Sequence, residues 1–142
     1  KYYKQSGNKY IFFEESITEI LSRKLCVDKI KNTTPESFIN GSYQKYGSLM
    51  LLMLIKKHRG DKEAILSELK HIRLTKNIEE KINFINSLDF ITKKTEEEKF
   101  QNFMTTIREY GIIQREVNYN DENFHEEVWL WFLKKSKKKL EY

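Results

Sequence analysis

A chain of 142 residues with 39% hydrophobic and 13% aromatic content can close one core, and a disordered polyelectrolyte would lack its Phe, Tyr, Ile and Leu. One Pro and five Gly are too few for the turns of a β-sandwich, and a single cysteine, Cys26, excludes an intrachain disulfide. The net charge of +5 sits at the front: residues 1–60 carry eleven Lys/Arg against five Asp/Glu, and residues 61–142 carry fifteen against sixteen.

In chain order, Ser6-Gly7-Asn8 is a turn signal between Tyr2-Tyr3 and Tyr10–Phe13, which leaves room for a short hairpin or an extended arm. Ser16-Ile17-Thr18-Glu19 is a capping box, and Ile17, Ile20, Leu21 and Leu25 then share one helical face. Pro35 suits a first helical turn. Phe38–His58 predicts one long helix, or two broken near Gly41 or Gly47. Its Leu49–Ile55 run is apolar all round, as in a central buried helix, and it ends in Lys56, Lys57 and Arg59 with Gly60 as the C-cap.

Asp61 opens the next helix, with Ile65, Leu69 and Ile72 on one stripe. Thr75-Lys76-Asn77 is a turn, and Asn77 can cap a helix that buries Ile78, Ile82 and Ile85 beside Phe84 and Leu88. Thr95–Glu98 is a second capping box, ahead of Phe100, Phe103, Met104 and Ile107, and Gly111 stops that helix. Ile112–Tyr119 is the best strand candidate outside the N-terminus. Asn118–Asn123 is a turn cluster, and Phe124–Lys139 predicts a helix, or a short strand passing into one. The fold class is mainly α: one domain over residues 1–142, a compact bundle of about six helices that leaves room for a small β wing or hairpin.

Ser48–Ile91 resembles the helix-turn-helix core of winged-helix domains, with Leu49–Lys57 as first helix, Lys62–Lys70 as second, His71–Leu74 as turn and Thr75–Leu88 as recognition-type helix. Phe90-Ile91 would begin a wing. Phe100–Val117 looks like the close of such a domain, with Asn118–Asn123 as wing tip. The resemblance implies a DNA-associated domain. Lys76, Asn77, Lys81 and Asn83 would then face a groove and Arg115 would lie on the wing, although Glu79 and Glu80 in the same helix would repel phosphate.

Lys56, Lys57 and Arg59 fall in an acid-free stretch from Ser37 to Gly60, where they could neutralise phosphates or simply complete a helix C-terminus. The densest basic run is Lys134–Lys139, either a contact for an acidic partner or a solvated end. Trp129 and Trp131 lie about 200° apart on a helix, so one belongs in the core, and the other either packs there too, the commoner outcome, or anchors a partner chain. His58, His71, His125 and Cys26 have no zinc or catalytic spacing, and there is no Gly-rich phosphate loop. No metal, cofactor or enzymatic activity is expected of this stretch alone.

No apolar run reaches the roughly 20 residues of a membrane helix, and the first residues carry no secretory pattern. A cytoplasmic location is therefore expected, or a nuclear one in a eukaryote, without secretion or membrane insertion. A start at Lys1 fits a piece of a longer protein. Two roles stay open: a DNA-associated winged-helix-like domain, or an all-helical adaptor. The adaptor would pack Trp129–Leu133 or Leu49–Ile55 against another protein chain or a second copy as a homodimer.

Overall fold

Amphipathic stripes of period 3.6 bury their apolar faces most economically as packed helices. The computed structural model describes residues 8–29, 44–88, 96–117, 121 and 123–134. Six helices and no strand occur among them: α1 (Asn8–Lys29), α2 (Gln44–Lys57), α3 (Lys62–Leu74), α4 (Ile78–Ser87), α5 (Glu96–Glu109) and α6 (Asn123–Leu133). None is long and apolar enough to cross a membrane.

Helix α2 is the axis of the bundle, and α1, α3, α5 and α6 pack around it. Leu49, Met50, Leu51, Leu52, Leu54 and Ile55 are all buried. An all-round apolar sequence suits that position because neighbours cover almost every face of it, with Met53 alone in the run partly buried. The helix begins at Gln44 and runs through Gly47 without a break. It needs a glycine there: a Cβ at that position would sit 3.0 Å from Trp129 Cε2 and closer still to Cζ2.

The α2 terminus differs in detail from the expected Gly60 cap. Arg59 itself holds the left-handed conformation at φ 53°, Gly60 follows at φ 80°, and the Gly60 N–H donates to Ile55 O at 2.9 Å. This is the Schellman arrangement with arginine where glycine is usual. Gly111, at φ 61°, ends α5 as expected, with the Ile112 N–H donating to Ile107 O at 3.0 Å.

Local capping signals place α3 and α4. Asp61 accepts from the Ala64 N–H and Asn77 from the Glu80 N–H, each at 3.1 Å. Ile65, Leu69 and Ile72 are buried on α3, and Phe84 and Ile85 on α4. Ile78, expected inside, is 44% exposed because it opens α4 beyond the reach of the core.

Other expectations change. Tyr10–Phe13 is helical, so no hairpin forms there, and Ser16 is a buried residue inside α1 rather than its cap. Once a helix is under way, one more turn costs less than a new nucleus. The connection from α3 to α4 is Thr75–Asn77; residues 71–74 still belong to α3. Residues 112–117 form no strand: Ile112 and Ile113 turn into the core, and Arg115 is drawn sideways to Asp121 and Glu127. Residues 38–41, the expected wing start at 90–91, the wing-tip residues 118–120 and the basic run 135–139 lie outside the described residues.

Candidate functional site

The buried line of α1 is Ser16, Ile17, Ile20, Arg23, Lys24 and Val27. Periodicity favoured Leu21 and Leu25 for that face, yet Leu21 is only half-buried and Leu25 is 59% exposed. Two cations take the inward positions. Arg23 donates to Glu19 at 2.8 Å and lies over the Trp129 ring, 4.8 Å from its centroid. Lys24 Nζ donates to Asp28 at 3.1 Å, to Lys134 O at 3.2 Å and to Leu133 O at 3.4 Å.

Those last two acceptors are carbonyls at the end of α6 that take no main-chain N–H among the described residues, and the last turn has no basic residue of its own. Lys62, at the start of α3, serves the same end: its Nζ donates to Trp131 O at 2.7 Å and lies 4.5 Å from the Trp131 ring centroid. Two lysines from other helices therefore complete the α6 C-terminus. Burial, followed by the neighbouring Lys24 and Lys134 ammonium groups, pushes the Lys62 amine down to about 8, against the opposing pull of Asp28.

Because the folded chain gives up this proton before the unfolded chain does, the unfolded state holds more protons from about pH 8 up to 10.5. The stability of the native sequence relative to Lys62→Met should therefore rise with pH across that window and level off on either side. Urea denaturation at stepped pH checks this; a flat difference would place the Lys62 amine in ordinary solvent.

With Lys24 turned inward, Leu25 and its neighbours face a groove between α1 and α3. One wall is Thr18, Leu21, Ser22, Lys24, Leu25, Asp28 and Lys29; the other is Glu63, Leu66, Lys70 and Arg73. The groove has a volume of about 500 Å³. The helices run antiparallel along it: Arg73 Nε donates to Thr18 Oγ1 at 3.2 Å at one end, and Lys24 and Lys62 both donate to Lys134 O at the other. Leu21, Leu25 and Leu66 make an apolar strip along it, with exposed Lys29, Lys70 and Arg73 at the margins. Beyond the Arg73 end, Leu74 is 76% exposed.

Three of the cations singled out for nucleic acid are paired with carboxylates. Lys57 donates to Glu68 at 2.7 Å, Lys81 to Glu14 at 3.1 Å, and Arg115 to Asp121 and Glu127. Burial raises the Glu68 carboxyl, but hydrogen bonds from Lys57 and His58 outweigh it and hold the group below its ordinary value. Asn77 is occupied as the α4 cap. Lys56 and Arg59 do come together, lining a hollow of about 420 Å³ with Gln101, Thr105, Thr106, Glu109 and Tyr110. Lys56, Arg59 and Lys76 are exposed and form no ion pair among the described residues.

Of the two tryptophans, Trp129 is fully buried at the crossing of α2 and α6, and Trp131 is partly buried under Lys62. His125 shares a hydrogen bond with buried Ser48, and His71 with Glu80. No group of three His, Cys, Asp or Glu side chains among the described residues could hold a metal ion.

Leu25, Leu66, Lys70 and Arg73 carried no sequence signal as a site. The available hint was an apolar face on α1 broader than one helix interface needs, from Ile17 through Val27. No protein family, curated protein or solved structure matches this chain.

Proposed function

We propose that this chain is an all-helical adaptor that docks a segment of another protein in the groove between α1 and α3. The observation that carries the proposal is Leu25, 59% exposed above an apolar strip formed with Leu21 and Leu66. Scattered surface leucines are ordinary, but one set in a concave apolar groove favours a partner. The strips expected to meet a partner, Leu49–Ile55 and Trp129–Leu133, are largely consumed by the core.

A DNA-associated role of winged-helix type has less support. The three-residue turn between α3 and α4 suits a helix-turn-helix. Yet the exposed positions of α4 are Ile78, Glu79, Asn83, Asn86 and Ser87, and its one lysine is paired with Glu14. With Glu79 exposed and Lys81 paired, Lys76 at the entry to this segment is the one cation left among its described residues for the phosphate term that dominates DNA affinity.

The test is a selection of displayed helical peptides against the folded protein, repeated on Leu25→Glu. Burying a leucine contributes about 1.5–3 kcal/mol, so this surface variant should lose about tenfold or more in affinity for the selected peptides. A short DNA duplex titrated in parallel should show no steeply salt-dependent binding. Duplex binding that Leu25→Glu leaves untouched, with no peptide selected, would move the function to nucleic acid.

A further inference from the structure

We propose that the occupant of the groove is an acidic amphipathic helix of another protein chain, about three turns long. This rests on the docking role argued above and adds the chemistry of the partner.

Length is the first argument. From Thr18 to Lys29 the groove follows eleven residue steps of α1, about 16 Å at the helical rise. A partner helix of about eleven residues would span it, set against two antiparallel helices as a third member of the layer. Both walls are closed helices whose main-chain groups are already paired, so an extended strand would find no edge to extend. A helix brings its own hydrogen bonds satisfied and needs only side-chain contact. Leucine or isoleucine at successive turns would meet Leu21, Leu25 and Leu66.

Charge is the second argument. The groove holds four cations, Lys24, Lys29, Lys70 and Arg73, and two carboxylates, Asp28 and Glu63. Asp28 is spent on Lys24, which also faces the end of α6. That leaves three exposed cations against Glu63. Lys70 and Arg73 stand one turn apart on α3 with no carboxylate lining that end, so acids one turn apart on the partner would face them. A basic or neutral helix would leave this end uncompensated, and complementarity of charge selects partners more sharply than it raises affinity.

The experiment displays a library of amphipathic helices with a fixed leucine stripe and flanking positions drawn evenly from Glu, Lys, Gln and Ser. Selection on the native protein should enrich Glu on the flank facing α3. Selection on Lys70→Glu/Arg73→Glu should enrich Lys there. Both replacements are at exposed positions, and circular dichroism verifies that the fold is kept. A selected acidic peptide should bind the double variant at least about tenfold more weakly, and its affinity for the native protein should fall with added salt.

Binders with no charge bias, or with Lys enriched on the native protein, would overturn this inference and leave the docking role standing. Binders indifferent to Leu25→Glu would place the occupant elsewhere and overturn it as well. No binder at all would remove both. A dimer in sedimentation that Leu25→Glu dissociates would assign the groove to a second copy instead.

Discussion

Truncating Trp129 to alanine is expected to lower the stability of the fold by about 4 kcal/mol, within the range measured for large aromatic side chains removed from cores. The indole is fully buried in α6, and three structural features depend on it. It fills the space left open by Gly47 on α2. It lies under the Arg23 guanidinium of α1 at 4.8 Å. It also sits between Val128 and Phe132, both buried with it. Removing it leaves a cavity at the meeting of three helices, where collapse is hard because each helix is held by other neighbours. Arg23 would lose its ring while remaining inside. Urea denaturation followed by helical circular dichroism measures the change, and Trp129→Phe should fall between the two. A loss below about 1 kcal/mol for the alanine variant would mean the ring is not packed as described.

Gly47→Ala should also destabilise, by up to about 2 kcal/mol, against the helix-propensity gain of nearly 1 kcal/mol that alanine brings to a helix interior. The new methyl group has nowhere to go: its carbon would lie 3.0 Å from Trp129 Cε2 and 3.2 Å from Cη2. Either α2 and α6 part or the indole leaves its place. The two replacements must therefore couple. In the Trp129→Ala background the space opens, and Gly47→Ala should become stabilising by about the propensity difference. A reversal of sign in this double-mutant cycle is specific to the contact. If Gly47→Ala stabilises in both backgrounds, the close approach of α2 to α6 does not exist.

These two positions also mark how far a sequence can be read. That Leu49–Ile55 is central follows from its having no polar face. Which residue stands opposite Gly47 does not follow, because Trp129 lies more than eighty positions away and nothing local couples them. The caps at Asp61 and Asn77 were legible because donor and acceptor are three residues apart. The capping box at Ser16 was equally well formed and was not used, since α1 already runs from Asn8. A capping box permits a helix start without forcing one.

The candidate site was less legible for the same reason. On α1, polarity alone argues for Leu25 inside and Lys24 outside. The structure reverses them because Lys24 donates to a carbonyl 109 residues away, at the end of a helix whose last turn holds no basic residue. A buried ammonium is tolerable only with such partners. Lys81 likewise meets Glu14 across 67 residues, and Arg115 meets Glu127 across twelve. Charges that look available in a string of letters are neutralised in space.

Composition, stripe spacing and short-range caps by themselves determined that this protein is built of helices, where α3 and α4 begin, and that α2 is surrounded. All of these depend on groups within about one turn of each other. Only the tertiary structure decided which leucines remain in contact with water and which cations remain unpaired, because burial and ion pairing depend on neighbours brought in from distant parts of the chain.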